Sequence, residues 1–135
     1  MILRWPGRLP AGKTSAQLAI TMDLTASIIA VTQTVVPPGH RLDGINIIPV
    51  LAGESPLIER EFFWRIVRPN LLQRAVRSGR WKLLIDGRQF LLFDLKTDLA
   101  ERNDLAAQHP ELVLKLKRLL AAWEGDVDQK PVSSQ

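Results

Sequence analysis

Gln73-Arg74-Ala75-Val76-Arg77-Ser78-Gly79-Arg80-Trp81-Lys82-Leu83-Leu84-Ile85-Asp86-Gly87-Arg88-Gln89-Phe90-Leu91-Leu92-Phe93 is the stretch that decides the fold. Three extended runs, 73–77, 81–85 and 89–93, are divided by Ser78-Gly79 and Asp86-Gly87, pairs able to reverse the chain within two residues. A fourth run, 62–67, leads into them across Pro69-Asn70. Strands joined by turns this short pair antiparallel. The segment from Glu61 to Leu95 therefore reads as an antiparallel sheet of about four strands.

Downstream, Pro110 stands where a first helical residue is favoured, with Glu111 in the first turn. Leu112, Leu116, Leu119, Leu120 and Trp123 then follow along one face until Gly125. This spacing predicts one long helix whose apolar stripe covers a face of the sheet. Burial of each large side chain in that stripe contributes about 1.5–3 kcal/mol, which ties helix and sheet into one folding unit. The segment 126–135 is polar and reads as a tail.

Upstream the pattern is weaker. Residues 1–5 read as the end of a strand, stopped by Pro6-Gly7 and Pro10-Ala11-Gly12. Leu24, Ile28 and Val31 recur at helical spacing, with Ile29 widening the apolar face. They predict a short, mostly buried helix over 23–32, capped by Thr21 or Asp23. Pro37-Pro38-Gly39 enforces a loop, and Asp43-Gly44 a turn. One helical turn is expected near 48–51. Residues 1–56 offer these apolar faces no local partner, so another surface is expected to cover them.

Composition narrows the chemistry. The 135 residues contain no cysteine, which removes disulfides, thiolate metal sites and a cysteine nucleophile. No run approaches the ~20 apolar residues that span a bilayer, and the opening residues are broken too soon for a signal-peptide apolar core. The expectation is a chain with no membrane segment, its compartment left open. Net charge is +4. The basic residues gather at Arg60, Arg65, Arg68, Arg74, Arg77, Arg80, Lys82 and Arg88, with Glu61 and Asp86 as the acids between them.

Several segments, taken in order, resemble the C-terminal third of the sulfatases of the arylsulfatase and alkaline-phosphatase-like family. Arg4-Trp5-Pro6-Gly7 with Pro10-Ala11-Gly12-Lys13 is similar to the strand and loop after the family's last catalytic lysine. Asp23-Leu24 opens a helix resembling the family's D-x-x-P-T, with Ala26 and Ser27 in place of Pro-Thr. The stretch from Leu42 through Gly53 is similar to D-G-x-x-L-x-P-L-L-x-G. Ala75-Val76-Arg77-Ser78-Gly79-Arg80-Trp81-Lys82-Leu83 is similar to A-V-R-x-G-x-W-K-L. Leu92 through Ala106 resembles L-(F/Y)-(D/N)-L-x-x-D-P-x-E-x-x-N-L-A, with Leu99 where proline is usual.

The resemblance implies an α+β piece of a larger enzyme. Residues 1–56 would be a strand-loop-helix remnant of the α/β catalytic domain, and residues 57–125 a sheet-plus-helix subdomain leaning over the active-site cleft. It also implies what the chain needs from elsewhere. The family's nucleophile is a formylglycine made from a cysteine in C-x-P-x-R. A divalent cation such as calcium, held by Asp and Asn, draws charge from the sulfate, assisted by a lysine and a histidine. All belong to upstream segments, so no catalytic or metal-binding residue is assigned here and no hydrolysis is expected from this chain alone. Parent enzymes are often periplasmic, secreted or lysosomal.

Three arginines, Arg65, Arg68 and Arg74, are the candidates for touching an anionic substrate, since guanidinium groups bind sulfate oxygens in a bidentate fashion. The alternative is that they occupy solvent-facing positions and blunt the sheet edge. Asp94, Asp98, Glu101, Asn103 and Asp104 lack the spacing of a calcium loop and are expected to serve turns and a helix start. His40 and His109 are expected in loop or capping roles. Trp64, Trp81 and Trp123 are assigned to the core, with sugar stacking as the other use of Trp64.

Competing functions remain open. One is an independent anion-binding module for sulfated polysaccharide or, with less support, nucleic acid. Another is a pseudoenzyme or subunit that completes an N-terminal sulfatase portion. A self-associating copy is a further partner.

Overall fold

The computed structural model describes residues 1–129, and they divide into two units, residues 1–59 and 60 onward. The second carries the sheet. Strands β1 (Glu61–Arg68), β2 (Leu71–Ser78), β3 (Trp81–Asp86) and β4 (Gln89–Asp94) lie in the order β1-β2-β3-β4, every neighbouring pair antiparallel. The pairs Arg68 with Leu71, Ser78 with Trp81 and Asp86 with Gln89 leave two residues in each turn. Gly79 and Gly87 open the second and third turns with φ of +56°, the left-handed conformation that tight hairpins require and glycine adopts without a steric cost. Each strand extends one to three residues beyond the segment read from sequence.

Because strand side chains alternate between faces, the register sorts the sheet. Phe63, Val76, Leu83 and Leu92 form one cross-strand row. Trp64, Ala75, Leu84 and Leu91 form the next, on the opposite face. The long helix α3, numbered after two short upstream helices, runs Pro110–Val127 and covers the first face. Val76, Leu83, Ile85, Leu92, Leu116 and Leu120 are buried as one cluster, flanked by Phe63, Trp81, Leu112, Val113, Leu119 and Trp123. Trp123 stacks on Phe63 with ring centroids 5.3 Å apart. The helix continues two residues past Gly125, so the front of the expected tail is helical. Residues 130–135 of that tail lie outside the described residues.

The outer edge of β4 is closed by its own chain. Leu92 donates its N–H to Asp104 Oδ1 at 3.0 Å, and its carbonyl accepts from Leu105 N–H at 2.8 Å. Paired in this way, those backbone groups no longer offer a template to another strand.

In the first unit, α1 (Thr21–Thr32) and α2 (Ile48–Leu51) are the regular elements. Three expectations need correction. Residues 1–5 form no strand, since a strand requires a hydrogen-bonded neighbour and none pairs with them among the described residues. The N-cap of α1 is Ile20, not Thr21 or Asp23. Asp23 sits three residues into the helix and its Oδ2 accepts the Ile20 N–H at 2.8 Å, half of a capping box. Finally, the expected apolar stripe is not the buried side: Ile28 is 62% exposed and Val31 is exposed, while Asp23, Ala26 and Ser27 are buried.

That small, polar side is buried because it holds a loop. Asp23 Oδ1 accepts the Ile45 N–H at 3.0 Å, and Ser27 Oγ accepts the Ile47 N–H at 3.0 Å. Ile47 is fully buried beside this tie. The Ser27 hydroxyl is the group used here.

Candidate functional site

The three candidate arginines do not converge. Arg65 and Arg74 are cross-strand neighbours in the row that contains Ile85, and so lie on the face covered by α3. Arg65 makes a bidentate pair with Asp128 at 2.8 and 2.7 Å, and its guanidinium lies 5.8 Å from the Trp123 ring. Arg74 reaches Glu124 at 3.4 Å, and its Nε is buried with no hydrogen-bond partner among the described residues. Arg68 stands apart, exposed at the end of β1.

The rest of the basic cluster is also largely matched. Arg80 forms a two-point pair with the buried Asp94, its Nε at 2.6 Å from Oδ1. Lys82 donates to both oxygens of Glu101 at 2.6 and 2.8 Å. Arg77 spends its Nε–H on the Gly79 carbonyl at 3.0 Å. The acids Asp94, Glu101, Glu124 and Asp128 all lie outside the 60–88 stretch, and a local charge count could not anticipate them. The one available signal was Glu124 and Asp128 at i, i+4 spacing at the end of the terminal helix.

The Arg65 pair shifts its partners' protonation. The hydrogen bonds from Arg65 hold the Asp128 carboxyl below the usual carboxylate range, and the same contact raises Arg65 further. A carboxyl depressed in the folded state stabilises above the ordinary carboxylate pKa, and that contribution is lost as pH falls through the depressed value. A carboxyl-carbon NMR titration is expected to place Asp128 below the ordinary value in the native chain and back at it in Arg65→Gln. An unmoved Asp128 in the variant would disprove the assignment.

The acids between 94 and 104 serve turns, as expected, although no helix starts among them. Asp94 also accepts the Lys96 N–H at 3.1 Å and the Thr97 hydroxyl at 2.9 Å. Asp98 accepts the N–H groups of Arg102 and Asn103, both at 2.8 Å. Asp104 holds Leu92 and Ala106. These carboxylates do not fit a divalent cation, because each is committed to separate donors and no three metal-ligating side chains converge among the described residues.

His109 occupies the N-cap position of α3 without a side-chain cap bond, and its ring meets Trp81 edge-on at 5.2 Å. His40 lies exposed in a loop. Trp81 and Trp123 pack against the core as expected, but Trp64 does not. It is 41% exposed on the face away from α3. There it borders a cleft of about 470 Å³ shared with Ile66, Arg77, Lys82, Leu84 and Leu99.

Known proteins are similar to this chain in sequence and in fold. The chain is 31% identical to an N-acetylgalactosamine-6-O-sulfatase of Bacteroides thetaiotaomicron, over 88% of this chain and 26% of the relative. It is 28% identical to human arylsulfatase G, over 96% of this chain and 29% of that protein. The crystal structure of Ps i-CgsB superposes with a TM-score of 0.81 at 25% identity, covering 95% of this chain and 29% of that one. A 2-O GAG sulfatase shares the fold at 23% identity, with a TM-score of 0.62 over 84% of this chain and 26% of that one. No family model matches the chain.

The chain belongs to the sulfatase family. Within it the resemblance is to the arylsulfatase type, and the partial coverage fits a C-terminal portion. The chain spans little more than a quarter of the length of the curated relatives it matches.

Proposed function

We propose that these 135 residues act as the C-terminal part of a sulfatase, covering the active-site cleft, and do not hydrolyse sulfate esters by themselves. The carrying observation is the coverage: the match takes in most of this chain but 26–29% of the curated relatives. The absence of cysteine supports the same reading, because the C-x-P-x-R precursor of formylglycine is not among these residues. So does the commitment of every acid between 94 and 104 to a turn or an ion pair. Formylglycine, the divalent cation and the sulfate-binding cations are assigned to the remaining portion of the enzyme.

For the anionic substrate, Arg68 is the candidate we retain. Unlike Arg65 and Arg74, it has no acidic partner among the described residues. The rival reading of a free-standing anion-binding module is weakened by the same pairing, since Arg65, Arg74, Arg80 and Lys82 already hold carboxylates.

The purified chain, given an aryl sulfate and calcium, is expected to release product at the rate of buffer alone. Calcium-dependent turnover that follows the chain through purification would refute the proposal.

A further inference from the structure

The two faces of the sheet are treated differently. α3 covers the row of Val76 and Leu83, whereas the opposite face leaves Trp64, Ile66 and Leu99 exposed, Leu99 by 81%. Phe62, Ala75 and Phe93 on that same face are buried. What stays open is the cleft bounded by Trp64, Ile66, Leu84 and Leu99, with Arg77 and Lys82 at its rim. An exposed apolar cleft with a polar rim marks an interaction surface.

The rim specifies the partner. Lys82 is neutralised by Glu101, and Gln73 occupies Asp86. Among the described residues Arg77 uses only its Nε, on a backbone carbonyl, so its terminal nitrogens can still donate. The cleft therefore suits an apolar surface that brings one carboxylate to Arg77. A second copy docked by this same face fits poorly, because it would bring another such cation to Arg77.

We infer that this cleft is the docking surface for the remaining portion of a sulfatase, whether on the same polypeptide or a separate one, with Trp64, Leu84 and Leu99 as its apolar contacts and Arg77 as its ionic contact. The inference rests on the proposed function. The matched relatives and the Ps i-CgsB structure supply the occupant: in each, the matched region belongs to a longer chain, of which it makes up 26–29%.

The test uses the complete 135-residue chain, tagged and co-expressed with the part of the Bacteroides thetaiotaomicron N-acetylgalactosamine-6-O-sulfatase that lies outside its matched 136 residues. Co-purification is expected. Arg77→Glu and Leu99→Glu should each reduce the co-purified fraction about tenfold, while Arg118→Glu on the exposed side of α3 leaves it unchanged. Leu99 lies in a loop, so its variant reports on docking even where an Arg77 variant folds poorly. A complex that forms yet ignores both cleft substitutions overturns the docking surface and leaves the sulfatase-part reading standing. Failure of the native chain to co-purify, with both polypeptides folded, overturns the two together.

Discussion

Leu116→Ala is expected to lower the stability of the sheet-and-helix unit by about 2–5 kcal/mol, the range for removing most of a fully buried leucine from a packed core. Leu116 is completely buried, on the α3 face that closes over Val76, Leu83 and Leu92. The residues around it are held by strand pairing and by the Phe63–Trp123 stack, so collapse into the cavity is limited. Leu114, two positions away, is 44% exposed, and Leu114→Ala should change stability by less than about 1 kcal/mol. Denaturant titration followed by tryptophan emission measures both, because Trp81 and Trp123 border this core. Equal midpoints for the two variants would show that α3 does not cover the sheet as described.

The sheet and α3 were legible in the sequence because their signals are local. Two-residue turns set the strand boundaries, and the 3.6-residue period of Leu112, Leu116, Leu119 and Leu120 set the helix face. Signals that depend on distant partners are absent from the local pattern. The arginines of β1 and β2 look unmatched over 60–88, yet Arg65 and Arg74 meet Glu124 and Asp128 some 50 to 63 residues on. Trp64 falls on an apolar position and reads as core, and only the register places it on the open face. In α1 the periodic apolar residues gave the helix but the wrong buried side, because Asp23 and Ser27 are drawn inward by backbone N–H groups of a loop 20 to 22 residues away. A buried polar side chain is tolerated where its hydrogen bonds are made, and periodicity cannot reveal that.

The same tie explains why glycine stands in the Asp43-Gly44 turn. Gly44 passes so close to the start of α1 that a Cβ there would lie 2.1 Å from the Met22 carbonyl oxygen and 2.8 Å from the Asp23 nitrogen. Both atoms are backbone and neither can rotate away. Gly44→Ala must therefore push the loop off the helix, pulling the adjacent Ile45 N–H from Asp23 Oδ1. Overpacking of this kind costs about 1–3 kcal/mol, and a lost hydrogen bond to a charged group about 1.5–3 kcal/mol more. Asp23, fully buried, would then be left with less of its charge compensated. The expected result is a loss of amide protection at Ile45 and Ile47 in hydrogen exchange, with a lowered melting temperature. Gly53→Ala is the control: its φ of +81° imposes about 1–2 kcal/mol of backbone strain, but nothing lies within 4 Å of the added carbon. Were Gly44→Ala no worse than Gly53→Ala, steric contact with α1 would not be the reason for glycine at this position.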